Sequence, residues 1–144
     1  MQTVRDILKK KGSGTHAVSP DTSVYDALKL MAEKNIGAVL VLDAGRPVGI
    51  LSERDYARQV ILKGKTSKET PVREIMTARV VFVRPEQSVE ECMALMTDKR
   101  IRHLPVLEEG SLVGLVSVGD VVKEVISEKQ FRIEQLENYI SSGG

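Results

Sequence analysis

Sliding the chain against itself by 65 positions lays residues 18–61 on residues 83–126 without a gap. Roughly seventeen of about forty-four positions are identical in that overlay, and most of the rest are conservative, which marks a duplicated structural unit. A shorter piece recurs upstream at an offset of 68, Val4-Arg5-Asp6-Ile7-Leu8 against Val72-Arg73-Glu74-Ile75-Met76. The first copy therefore carries about three extra residues around Gly12, Ser13 and Gly14. Two copies are too few for a solenoid, so a pair of half-domains packed together is the natural solution.

Each copy has the same internal grammar. Ser23 followed by Asp26 fits a helix N-terminus, and Val24, Ala27, Leu28 and Met31 then fall on one helical face. Ser88, Glu91, Val89, Cys92, Met93 and Met96 repeat that pattern. The apolar runs Ala38–Leu42 and Leu104–Leu107 read as buried strands, closed by hairpin turns at Asp43-Ala44-Gly45-Arg46 and Glu108-Glu109-Gly110-Ser111. Returning strands at Val48–Leu51 and Val113–Val116 lead into a second helix after Ser52 and Ser117. Short strands are expected at Ala17–Val18 and Val81–Val83, so the repeat reads β-α-β-β-α, a mixed α/β (α+β) class.

On this reading residues 1–64 hold the first repeat with an N-terminal helix, 65–71 a linker, 72–128 the second repeat, and 129–144 a C-terminal helix and tail. The N-terminal helix is placed to clasp the other copy. Phe131, Ile133, Leu136 and Ile140 form an apolar stripe on the C-terminal helix, suited to packing within or between subunits of a dimer.

Composition narrows the function classes. A net charge of +1, with no block of like charge, leaves no electrostatic footprint for nucleic acid. No apolar run is long enough to span a bilayer and the first residues lack a signal-peptide core, so a cytoplasmic protein is expected. Cys92 is the sole cysteine, and His16 and His103 lie far apart, so neither a disulfide nor a metal cluster is foreseen. With no Trp, two Phe and three Tyr, any bound base must be flanked by aliphatic side chains. There is no phosphate-binding glycine loop and no nucleophile–base pair, which argues against an enzyme.

The chemistry concentrates at two strand-to-helix junctions, Gly49-Ile50-Leu51-Ser52-Glu53-Arg54-Asp55 and Gly114-Leu115-Val116-Ser117-Val118-Gly119-Asp120. A strand glycine permits close approach, a serine sits where free backbone N–H groups favour an anion, and the aspartate can accept two hydrogen bonds from a vicinal diol. The same Ser-x-x-Asp spacing also serves a plain helix cap, and both readings stand. Arg54 and Arg58, one helical turn apart, fit phosphate contacts or a solvated helix face.

These paired units, with Ile101-Arg102-His103-Leu104-Pro105-Val106 in the second, resemble a tandem cystathionine β-synthase-type (CBS) domain pair, or Bateman module. The resemblance covers nearly the whole chain and implies a pseudo-twofold pair of repeats with two clefts between them. It also implies an adenine nucleotide ligand (AMP, ADP or ATP, less often NAD(H) or S-adenosylmethionine) bound without transformation, a homodimer, and a regulated protein partner. Carried onto this chain, it gives Asp55 and Asp120 to ribose and Ser52 and Ser117 to ribose or phosphate. The first cleft would add Thr15, His16, Ala17, Gly37 and Ala38. The second would add Thr77, Val81 and Val83 with His103, Leu104 and Pro105. A protein-interaction module without a nucleotide, and a nucleotide hydrolase, are the competing readings.

Overall fold

The computed structural model describes residues 2–12 and 14–141; Met1, Ser13 and the tail at 142–144 lie outside the described residues. The elements run α1 (Val4–Lys11), β1 (Ala17–Val18), α2 (Val24–Lys34), β2 (Ala38–Asp43), β3 (Arg46–Ser52), α3 (Glu53–Tyr56), α4 (Val89–Lys99), β4 (His103–Glu108), β5 (Ser111–Ser117) and α5 (Val118–Ser141). A π-helical turn at Ala57–Ile61 extends α3, and a 3₁₀ turn covers Val72–Glu74. The mixed α/β class is as expected.

The two compact units do not follow the repeat boundaries. One is the contiguous segment 14–81; the other joins 1–13 to 82–144. The reason is visible in how each long helix is started. In the contiguous unit the Val24 N–H donates to Thr70 O at 2.8 Å and Tyr25 N–H to Ser67 O at 3.0 Å, so the 65–71 stretch satisfies the opening donors of α2. In the other unit the residues before α1 do this work: Val89 N–H donates to Gln2 O at 3.0 Å, and in return Val4 N–H, at the start of α1, donates to Gln87 O at 2.9 Å. The recurring Val-Arg-acidic-Ile pieces thus play one part, Val4–Leu8 in the unit that holds residues 83–126 and Val72–Met76 in the unit that holds residues 18–61.

In the 14–81 unit, β1 pairs in parallel with β2, and β2 pairs antiparallel with β3, with a bulge between Val41 and Leu42. Val24, Ala27 and Met31 of α2 pack with Val39, Val41, Leu51, Val60, Val72 and Ile75. Fully burying a side chain of the Val, Leu, Ile or Met type contributes about 1.5–3 kcal/mol. Ser23 caps α2 by accepting from the Asp26 N–H at 3.1 Å, and Asn35 closes it in the left-handed conformation.

In the other unit, β4 and β5 form a two-stranded antiparallel sheet with the matching bulge between Val106 and Leu107. The strand expected at Val81–Val83 is reduced to one parallel bridge, Val83 to Val106. Ser88 caps α4 by accepting from the Glu91 N–H at 3.0 Å. Val4, Ile7 and Leu8 of α1, Val89, Cys92 and Met96 of α4, and Val121 of α5 are all buried. Glu124, also buried, receives Lys10 Nζ at 3.0 and 3.2 Å. Both hairpins turn on two residues with positive φ, Ala44-Gly45 and Glu109-Gly110, the geometry that suits the twist of paired strands. The stretch expected to break into a second-repeat helix and a separate C-terminal one is a single helix, α5, because nothing between Ile126 and Phe131 stops it.

Cys92 occupies the apolar α4 position matching Ala27, and burial, with Glu91 adding to it, pushes its thiol up to about 11. A thiol so placed has little thiolate and no access. Native protein at pH 8 should therefore resist iodoacetamide and label fully once denatured, read by intact mass; rapid native labelling would contradict the packing.

Candidate functional site

The two strand-to-helix junctions are built alike. In the 14–81 unit, the register sets Ala38 opposite Ser52, and the Glu53 N–H donates to Gly37 O at 3.1 Å. In the other unit, His103 stands opposite Ser117, and the Val118 N–H donates to Arg102 O at 2.9 Å. These bonds fix where each second helix starts.

At the first junction, Asp55 Oδ2 accepts from the Ser52 N–H and the Ser52 hydroxyl, both at 3.0 Å, while the Asp55 N–H donates to Ser52 Oγ at 3.2 Å. At the second, Asp120 Oδ2 accepts from the Ser117 N–H at 2.8 Å, and the Asp120 N–H donates to Ser117 Oγ at 3.1 Å. The capping geometry is therefore present in both copies. Among the described residues no hydrogen bond reaches Oδ1 of either carboxylate.

The junctions differ in one respect. Lys11, at the end of α1, donates to Asp120 Oδ2 at 2.6 Å and to Leu115 O at 2.8 Å. Burial works against the Asp120 charge, but the Lys11 bond, the Ser117 N–H and the Lys11 charge outweigh it, and the carboxyl is held below its usual range. Which of three successive lysines would reach Asp120 is not written in the sequence; only the helix register decides it.

The strand glycines serve packing within each unit. A Cβ on Gly49 would stand 2.6 Å from Met76 Sδ and 3.0 Å from Thr77 O, and one on Gly114 would stand 2.5 Å from Leu8 Cδ2. Leu8 and Met76 are equivalent positions of the recurring upstream piece, so the close approach foreseen at these glycines is filled by that piece.

The remaining residues of the sequence reading are distributed as follows. His16 O accepts from the Leu40 N–H at 3.1 Å, holding Thr15, His16 and Ala17 beside β2. Arg54 and Arg58 are exposed on the helix. Thr77 exchanges two backbone bonds with Ile50, at 2.9 and 3.0 Å, so Thr77 and Val81 belong to the unit that carries Asp55. Val83 donates to Pro105 O at 3.0 Å and accepts from Leu107 N at 2.9 Å, which places Val83, His103, Leu104 and Pro105 in the unit that carries Asp120. Among the described residues no three of His, Cys, Asp and Glu gather as a metal site, and no helix is long and apolar enough to cross a membrane.

Comparison with known proteins agrees with this architecture. The CBS domain family matches residues 4–61 and again 72–127. A mitochondrial CBS domain-containing protein of Arabidopsis thaliana, CBSX3, is 41% identical over 150 residues, spanning 98% of this chain and 73% of its own. A solved structure from Burkholderia ambifaria MC40-6, described as a signal-transduction protein with CBS domains, superposes with a TM-score of 0.85 at 56% identity, covering 88% of this chain and 95% of that one. A hexameric CBS-CP12 protein from bloom-forming cyanobacteria superposes with a TM-score of 0.76 at 32% identity, covering 83% and 70%.

Proposed function

Because this chain belongs to the CBS-domain family, matching its domain twice, we propose that it is a regulatory module that binds an adenine nucleotide without transforming it. The observation that carries the reading is the half-engaged carboxylate of Asp55. Its Oδ2 is committed to Ser52, and its Oδ1 takes no bond among the described residues. A ribose diol needs such an acceptor, held in place in advance by a rigid turn, and each bond to a charged oxygen contributes about 1.5–3 kcal/mol. Arg54 and Arg58, exposed on the same helix, supply charge for phosphate. AMP, ADP and ATP are the first ligands to try, ahead of NAD(H) and S-adenosylmethionine.

Ligand would act by favouring one arrangement of the protein that a partner reads, and only differential affinity for two states can do that. We place this action in the cytoplasm. A second reading is favoured by the capping itself, which accounts for both serine–aspartate pairs without any ligand: a protein-interaction module with no nucleotide.

A thermal-shift panel of AMP, ADP, ATP, NAD, NADH and S-adenosylmethionine separates the two. At a hundredfold excess over Kd a ligand bound only to the folded state adds about 2.7 kcal/mol, which raises the melting temperature by several degrees. A flat response to all six at millimolar concentration would leave the interaction module standing. Sustained release of ADP or phosphate from ATP would instead establish an enzyme.

A further inference from the structure

We infer that the outer part of α5 is a dimerisation helix that pairs in parallel with α5 of a second copy. Val121, Glu124, Val125 and Glu128 form the side of α5 turned into its own unit, and beyond Glu128 the described helix is exposed all round. A different side carries Val122, Ile126, Lys129, Ile133, Leu136 and Ile140, spaced alternately by four and three residues. That is the spacing of a coiled-coil seam. Its apolar members are 48–65% exposed, a line of apolar surface long enough to mark an interaction site.

The residue types select the partner and its direction. Ile126, Ile133 and Ile140 take the first core position of each heptad, and Leu136 the second; β-branched residues at the first with leucine at the second favour two parallel strands. Arg132 and Glu137 then occupy the flanking positions that face one another across a parallel pair, opposite in charge and present twice by symmetry. An antiparallel pair forgoes both contacts. Within one copy Arg132 bonds Glu128 at 2.7 Å, so the intermolecular partner replaces a local one at small cost. Lys129 puts one charge at a second core position of the seam, which costs stability. From Ile126 to Ile140 the seam is only about 21 Å long, so each of its few layers carries a large share. Most of this segment lies beyond the 72–127 family match, a feature of the helix extension and independent of any nucleotide.

Sedimentation equilibrium on the full chain should give a dimer that I133D/L136D converts to a monomer. Circular dichroism melting of that variant should retain a cooperative transition, because both sites lie outside the buried part of α5. Direction is read with Leu136→Cys under mild oxidation: parallel in-register helices bring the two introduced thiols together, and a disulfide-linked dimer should form in high yield. K129L should tighten the dimer tenfold or more. A monomeric parent chain, or a dimer that survives I133D/L136D, overturns the assignment of the interface. A Leu136→Cys dimer that fails to cross-link overturns its parallel direction.

Discussion

Replacing Gly49 with valine is expected to cost about 1–3 kcal/mol of unfolding free energy, the range for overpacking a filled interior. The site leaves no easy escape. A Cβ would meet Met76 Sδ at 2.6 Å, and it would also meet the carbonyl oxygen of Thr77 at 3.0 Å. That oxygen is fixed, because Ile50 and Thr77 exchange both backbone bonds. Relief therefore demands that the strand edge move as a whole. Gly114→Val should cost less, since its neighbour is the tip of the Leu8 side chain, a group that can rotate. Shortening that neighbour is the internal control: Gly114→Ala combined with Leu8→Ala should lose less than the two single changes added together, whereas Gly49→Ala with Met76→Ala should recover only part. Urea unfolding measures all of these. Equal losses at the two glycines would mean that the backbone contact at Thr77 contributes nothing.

The second large effect concerns ligand affinity. Asp55→Ala should weaken nucleotide binding ten- to a hundredfold by calorimetry, the equivalent of about 1.5–3 kcal/mol. Asp120→Ala should weaken it less, because the Lys11 ammonium, 2.6 Å from Oδ2, draws on the charge of that carboxylate and leaves its Oδ1 a weaker acceptor for a diol. Lys11→Met removes that neighbouring charge and should raise affinity at the second junction. If Asp55→Ala binds as the parent chain does, the aspartate is a cap and nothing more. If the two aspartate variants lose equally, Lys11 is no obstacle.

Much of this was legible from residue order alone. The duplication, the bulged hairpins' turn positions and the helix starts at Ser23 and Ser88 follow from local chemistry, which is why they can be read without a structure. What could not be read depends on contacts distant in sequence. Lys11 is one of three adjacent lysines, and its reach to Asp120 follows from how α1 lies in its unit. The strand glycines signalled a close approach but not that Met76 and Leu8 make it. The length of α5 is obscured for another reason: Glu128, Lys129 and Gln130 favour continuation, but Ser127 with Gln130 three residues on looks locally like a new beginning. The widening at Ala57–Ile61, where Leu62 N–H reaches back to Ala57 O at 3.1 Å, has no sequence signal that we can identify.

The split membership of one unit bears on synthesis. As the polypeptide leaves the ribosome, the contiguous half holds all of its own pieces once residue 81 has emerged and is free to mature. Its sibling cannot. Helix α1, made before that half, waits with Val4, Ile7 and Leu8 unsheltered until residues 82–144 arrive, a delay that favours slow closure and exchange of that helix between neighbouring nascent chains.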